Sequence, residues 1–336
     1  MRIDFHSHYL PPRFFERMDA LQASDRIESY AVFGPRLAAA ADRQFASGPA
    51  AFLEHRLQDM ENGEVDLTML SVGAVQPYFE SAPAAIAATR LANELLHEAV
   101  AAGHGRFGAF GSLPLPHTAA ALDELAFCFD DCGFQGVNLG CSAAGSPLDA
   151  PEFDDIWAAL NDRAAMVFLH PGATPQMAVG SAEHLLAPAF CGPTEMAIAV
   201  CRLVAAKIPL RFPRIQVIAG ITGGSIPYLA NRWDRGLRMS DPALHEEIGG
   251  VLPSLRRFWF DTSLIEDDHL YDTVRATIGV DRLVFGSDTP RGPVMEAVDA
   301  VLRSDRLSEQ EKHRILDHSG DLVLGATTGR FARPNP

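Results

Sequence analysis

The 336-residue chain sets 28 Lys and Arg against 43 Asp and Glu, and no basic run offsets the net charge of −15, which argues against a nucleic acid or an anionic membrane as partner. Hydrophobic residues make up 47%, enough for a sizeable core, while no stretch of about 18 apolar residues is available to span a bilayer. Cys128, Cys132, Cys141, Cys191 and Cys201 contain no C-x-x-C pair and read as reduced thiols; Asp4 and His6 break the N-terminus before a signal-like apolar run develops, so a cytoplasmic protein is expected.

The chain opens on MRIDFHSHYLPP, a short apolar strand at 3–5 followed by His6 and His8 at alternate positions. In an extended chain such residues share a side, so both imidazoles leave the strand end in one direction and can converge on a divalent metal. Residues 13–50, rich in Ala and Arg, read as an irregular excursion with helical pieces, an inserted cap over the mouth of the fold. A helix at 52–62 stops at Gly63 and leads to an apolar strand at 65–72. Helices at 82–102, 119–132 and 151–163 are each followed by a strand, at 106–113, 135–139 and 166–170. Cys128 and Cys132, four apart on the second of these helices, read as core packing. A longer region with turns and a helix at 194–206 precedes the strand 215–219; further helical stretches lead to strands at 258–263 and 282–287. The end, from 307, reads as a helix followed by a loosely ordered tail at 326–336.

Eight strands alternate with helices, and they are apolar along their length, as strands buried on both faces of a parallel sheet are. Closed into a ring they give a (β/α)8 barrel, one domain over 1–336. An open doubly wound sheet would need a glycine-rich phosphate loop after the first strand, where this chain has HSHY.

Barrels of this kind do their chemistry at the C-terminal ends of the strands. The first strand delivers His6 and His8, the fifth (MVFLHPG) His170, and the eighth (LVFGSDTP) Asp288. Three imidazoles and a carboxylate on one face are enough for one zinc-like ion with a position left for water or substrate.

With these residues in view the chain resembles the amidohydrolase superfamily, in the branch that includes aminocarboxymuconate-semialdehyde, resorcylate, carboxyvanillate and 6-methylsalicylate decarboxylases. The matching pieces are IDFHSHYLPP, GRFGAFGSLPL, PEFDDIWAAL, VFLHPG, PTEMAIAVCRL, RFPRIQVI, GGSIPYLANRWDR, FWFDTS and DRLVFGSDTP, in the family's order over nearly the whole chain. The resemblance implies one divalent ion per chain, zinc first and manganese second, on His6, His8, His170 and Asp288, with Asp288 also passing a proton. It implies a small carboxylic acid as substrate and a homodimer.

The chain departs from that pattern after the sixth strand. Where the family carries a histidine in G-H-x-G-G, this sequence reads Gly220, Ile221, Thr222, Gly223, Gly224. Isoleucine can neither polarise water nor meet a carboxylate, and Thr222 offers a hydrogen bond but no base near neutral pH. Where the family often has I-L-x-x-N-A the chain reads Ile315 to Gly320, and His313 and His318 fall on an exposed helix. Arg232 matches an arginine that in some members reaches a substrate carboxylate in the neighbouring subunit, or is a surface arginine; Arg291 follows SDTP and suits a bidentate anion clamp. Phe14, Tyr78 and Phe79 could sandwich a planar ring or pack the core, and Glu195 suits a capping role in the first turn of its helix.

Three functions are carried forward. The first is a metal-dependent lyase that removes CO2 from a small aromatic or unsaturated acid. The second is a hydrolase or hydratase of a lactone or enol-type substrate, which Ile221 disfavours. The third is a barrel repurposed for other chemistry.

Overall fold

The β-branched and aromatic residues of the opening run fit a pleated strand, and this strand is the first of eight that pair in parallel. In the computed structural model, which describes residues 1–22, 25, 27–172, 185–263 and 265–326, they are β1 (Ile3–His8), β2 (Leu67–Ser71), β3 (Phe107–Gly111), β4 (Gly136–Gly140), β5 (Met166–His170), β6 (Gln216–Ala219), β7 (Trp259–Asp261) and β8 (Leu283–Val284). They follow one another in chain order. The ring closes just past β8, where Phe5 N donates to Phe285 O at 3.0 Å, Asp288 N to His6 O at 2.8 Å and His8 N to Thr289 O at 2.8 Å. The architecture is a (β/α)8 barrel, as the strand count implied.

Two layers of core hold it. Ile3, Phe5, Leu67, Met69, Phe110 and Phe168 fill the ring, while a larger shell joins outward strand residues such as Leu70, Val137 and Leu169 to helix residues such as Leu96, Val200 and Leu203. Each fully buried side chain of this size contributes about 1.5–3 kcal/mol, so the ring and shell fix the strand ends firmly. One irregularity sits beneath the histidines: Asp4 pairs with Thr68 but Ser7 with Leu70, so β1 carries one residue more than β2 over that interval. Such a bulge breaks strict alternation. Ser7 consequently meets Arg56 of the Pro49–Asn62 helix, while His6 and His8 turn toward a common centre.

Several expected bounds are corrected. Segment 13–50 is more regular than expected, with helices Pro12–Gln22 and Glu28–Gln44; the first buries Phe14, Phe15 and Met18, and Phe45 stacks on Phe52 at 4.1 Å. The helix expected over 119–132 runs Thr118–Ala126 and then widens into a π-helical turn, Phe127–Asp131. β7 and β8 are shorter than their apolar runs, and beyond β8 the chain meets β1 only through single backbone bonds at Phe285, Asp288 and Thr289. The C-terminal part is helical through Ala326, so the tail expected to be loosely ordered over 326–336 begins in a helix, and its remainder, 327–336, lies outside the described residues. No helix among the described residues is long and apolar enough to cross a membrane.

Candidate metal centre

His6, His8, His170 and Asp288 converge: one ligand atom of each lies within 4.8 Å of all the others. The three imidazoles stand nearly perpendicular to one another, with centroids 5.0, 5.0 and 4.9 Å apart. β1 and β5 supply the histidines from their ends. Asp288 reaches in from the bend after β8, where its φ of 58° is left-handed. Gly286 makes that bend feasible, since a Cβ there would lie 2.9 Å from both His6 Cβ and Asp261 Cβ.

Each histidine has its outer nitrogen engaged by a group that can only accept. His6 Nδ1 lies 2.5 Å from Asp261 Oδ2, and His170 Nδ1 lies 2.9 Å from Pro171 O. His8 Nδ1 meets Ser71 Oγ at 3.1 Å, and that hydroxyl already spends its one proton on Ser7 O at 3.2 Å. In the neutral form that metal binding requires, all three rings would therefore carry their proton on Nδ1, which leaves each Nε2 lone pair for the centre. His8 Nε2 is 3.2 Å and His6 Nε2 3.4 Å from Asp288 Oδ1; the second pair is near but misaligned, so the wholly buried His6 Nε2 has no hydrogen-bond partner among the described residues. A buried nitrogen lone pair with no donor facing it, two more imidazoles and a carboxylate make a donor set that fits a divalent ion.

The electrostatics follow from burial among unlike charges. Burial alone would push the His6 imidazole down, but Asp261 and then Asp288 reverse this and hold it up at about 9. Burial, together with its fellow histidines, pushes His170 well below its ordinary value, and burial likewise lowers His8. The Asp288 carboxyl is raised by burial but held far below the usual carboxylate range by His6, His8 and His170. Beneath the centre, burial raises the Asp4 carboxyl although the Ser287 hydroxyl and amide both donate to it. Arg56, buried beside it, is lowered by desolvation to about 10.

The other expected residues are less concentrated. Ile221 and Thr222 lie in a tight turn, Ile221–Gly223, directly after β6; Ile221 is half-buried and Thr222 buried. Arg291 is 61% exposed, with an ion pair to Glu266 at 3.0 Å and its guanidinium 3.6 Å from Asp288 Oδ2, so it does border the centre. Arg232 is exposed on the Ile226–Ser240 helix and has no ionic partner among the described residues. Phe14 and Phe79 are wholly enclosed in the core, the Phe79 carbonyl meets His117 Nε2 at 3.0 Å, and the buried Tyr78 hydroxyl accepts from Gly140 N. None of these three aromatics keeps an open ring face; the loop after β2 folds inward, which spacing alone does not reveal. Glu195 is buried in the first turn of the Gly192–Ala205 helix. His313 and His318 are exposed.

Sequence reasoning missed Asp261, Asp4 and Ser71. A signal was there: Asp261 closes the apolar run FWFD as His170 closes MVFLH, and Asp4 is a charge inside an apolar strand, where charged residues rarely sit unpaired.

Comparison with known proteins bears on the family and the fold. The family model described as "Amidohydrolase" matches residues 3–318. The gamma-resorcylate decarboxylase of Rhizobium sp. is 30% identical over 76% of this chain and 86% of its own length. The 6-methylsalicylic acid decarboxylase acuB of Aspergillus aculeatus is 29% identical over 94% of this chain and 91% of its own. Among solved structures, a dihydroxybenzoic acid decarboxylase of Polaromonas sp. JS666 with bound manganese and the inhibitor 2-nitroresorcinol superposes with a TM-score of 0.75, at 20% identity over 98% of both chains. At that identity the likeness speaks for the fold.

Proposed function

This chain belongs to the amidohydrolase family, and from that premise we propose that it is a metal-dependent, non-oxidative decarboxylase of a small aromatic or unsaturated carboxylic acid. The observation that carries the reading is the convergence of His6, His8, His170 and Asp288 with every outer histidine nitrogen already committed. These four would hold one divalent ion, zinc by preference with manganese as the alternative. Once bound, such an ion supplies positive charge that binds the substrate anion and stabilises charge developing on it.

Asp288 is the proton carrier of the proposal. Its carboxyl would take up a proton from water as substrate enters and hand it to the carbon that bears the carboxylate. The bond to the carboxylate breaks, its electron pair stays with that carbon, and CO2 leaves with the carbon protonated. Asp288 is left as the carboxylate that its three histidine neighbours favour. Arg291, beside Asp288, would swing from Glu266 to an anionic group of the substrate. Ile221, half-buried after β6, would present an apolar wall to the ring, with Thr222 shaping the turn that carries it.

The hydrolase reading is weaker at this site. Water activation wants a base beside the ion, and the turn after β6 offers only Ile221 and the hydroxyl of Thr222. We also propose a homodimer in a reducing, cytoplasmic setting. The lone exposed Arg232 and the five unpaired thiols support this.

The test is elemental analysis of purified protein together with CO2 release from a panel of hydroxybenzoates. About one divalent ion per chain is expected, with CO2 released from at least one ortho-hydroxy acid and the rate lowered by more than about 10³-fold in Asp288→Asn. A metal-loaded protein that releases no CO2 from any of them but opens a lactone would overturn the reading.

A further inference from the structure

Asp261 ends β7, is fully buried, and has both oxygens in use. Oδ2 lies 2.5 Å from His6 Nδ1. Oδ1 accepts from Thr222 N at 3.0 Å, from Ser263 N at 3.2 Å and from Ser263 Oγ at 3.0 Å. The Thr222 amide belongs to the turn in which Ile221 and Thr222, both β-branched, are left-handed with φ of 46° and 55°. Such residues avoid that region at a cost of roughly 1–2 kcal/mol each, and persist there only when their surroundings hold them. The Thr222 hydroxyl is buried without a hydrogen-bond partner, so the backbone amide rather than the side chain ties the turn down.

We infer that Asp261 is a positioning residue with two tasks: it locks His6 with the proton on Nδ1 and the Nε2 lone pair toward the centre, and it anchors the Ile221–Gly223 turn to the same carboxylate. The inference rests on the metal-centre reading. An ionised carboxylate has only acceptor sites, so a ring nitrogen held against it must donate. The other oxygen is filled by amides of the segments just after β6 and β7, Thr222 and Ser263, which prevents the carboxylate from rotating away. A metal ligand and the segment where isoleucine replaces the family's usual histidine are thus coupled through one buried side chain.

Asp261→Asn separates the two tasks. An asparagine keeps an oxygen for Thr222 N and Ser263 but turns an NH2 toward His6 Nδ1. Donor would face donor, so His6 must carry its proton on Nε2 and its lone pair leaves the centre. Zinc affinity, measured by competition with a chelator, should fall about 10–100-fold, while the melting temperature stays close to wild type. Because Asp261 acts through His6, the double variant Asp261→Asn with His6→Ala should bind zinc no more weakly than His6→Ala alone. Wild-type affinity in Asp261→Asn, or losses that simply add in the double variant, would overturn the inference. Wild-type protein that takes up no zinc overturns the metal-centre reading as well, so the two failures are told apart by the wild-type titration. If Asp261→Asn does not fold, the nitrogen–proton spectrum of zinc-loaded wild type decides: a low-field, slowly exchanging His6 Nδ1–H is expected, and its absence overturns the proposal.

Discussion

Ile221 is the residue at which sequence and chemistry pull apart. A φ of 46° is a poor fit for isoleucine, whereas histidine visits the left-handed region far more readily, so a conformational preference does not explain the isoleucine. The apolar wall proposed for the site would explain it. Ile221→His should therefore fold at least as well as the parent and keep its metal content, while decarboxylation falls by about tenfold or more as a polar ring displaces an apolar wall. Thermal melting, elemental analysis and CO2 release on the same preparation check this. Unchanged decarboxylation would remove the pocket-shaping role, and newly gained lactone hydrolysis would favour water chemistry.

At the scale of elements, the turn after β6 is the most constrained piece of backbone near the centre. Gly224 is left-handed at φ 64°, and a Cβ there would stand 1.9 Å from Pro193 O, a backbone atom that cannot swing aside. Gly133 is also left-handed, at 70°, but nothing lies within 4 Å of where its Cβ would go. Gly133→Ala should cost only the conformational preference, about 1 kcal/mol, whereas Gly224→Ala should cost roughly 3 kcal/mol or more and lower the melting point by several degrees further. Equal melting points would show that the turn yields freely. The same region marks what could be read in advance. β5 was legible to the residue because it is a short apolar run closed by a histidine. β8 was over-read by four residues, since the apolar pattern does not say that after Val284 the chain keeps only single backbone bonds to β1 as it brings the Asp288 carboxylate inward. The helices within 13–50 were under-read because Ala and Arg carry little periodic signal, and Phe14, Phe15 and Met18 find their partners only in three dimensions.

Across the whole molecule, the convergence of His6, His8, His170 and Asp288 was legible because a barrel gathers strand ends, so a rule about place could stand in for coordinates. Asp261 and Ser71 were not, because their meaning lies in which nitrogen they meet. Association is the remaining question at this scale. The described helical segments after β5 and β6 carry several exposed apolar side chains: Phe190 is 67%, Ile198 49%, Leu229 38% and Tyr228 82% exposed, and Ile198 and Leu229 line, with Ala197, Cys201 and Trp233, a groove of about 370 Å³. Exposed apolar side chains of this kind would suit the interface of the proposed homodimer, and Arg232, on the helix of Tyr228 and Leu229, adds a cation with no ionic partner among the described residues. A second copy meeting this face would bury the aromatics and carry Arg232 toward its partner. Light scattering behind size exclusion should then report about twice the 36.4 kDa chain mass. Tyr228→Asp, which desolvates a charge on association, should shift the protein to monomer with its metal content intact. Arg232→Ala should leave the dimer but raise the Michaelis constant, if the arginine serves substrate across the interface. A wild-type monomer at micromolar concentration would sink the dimer and return Arg232 to the ordinary surface.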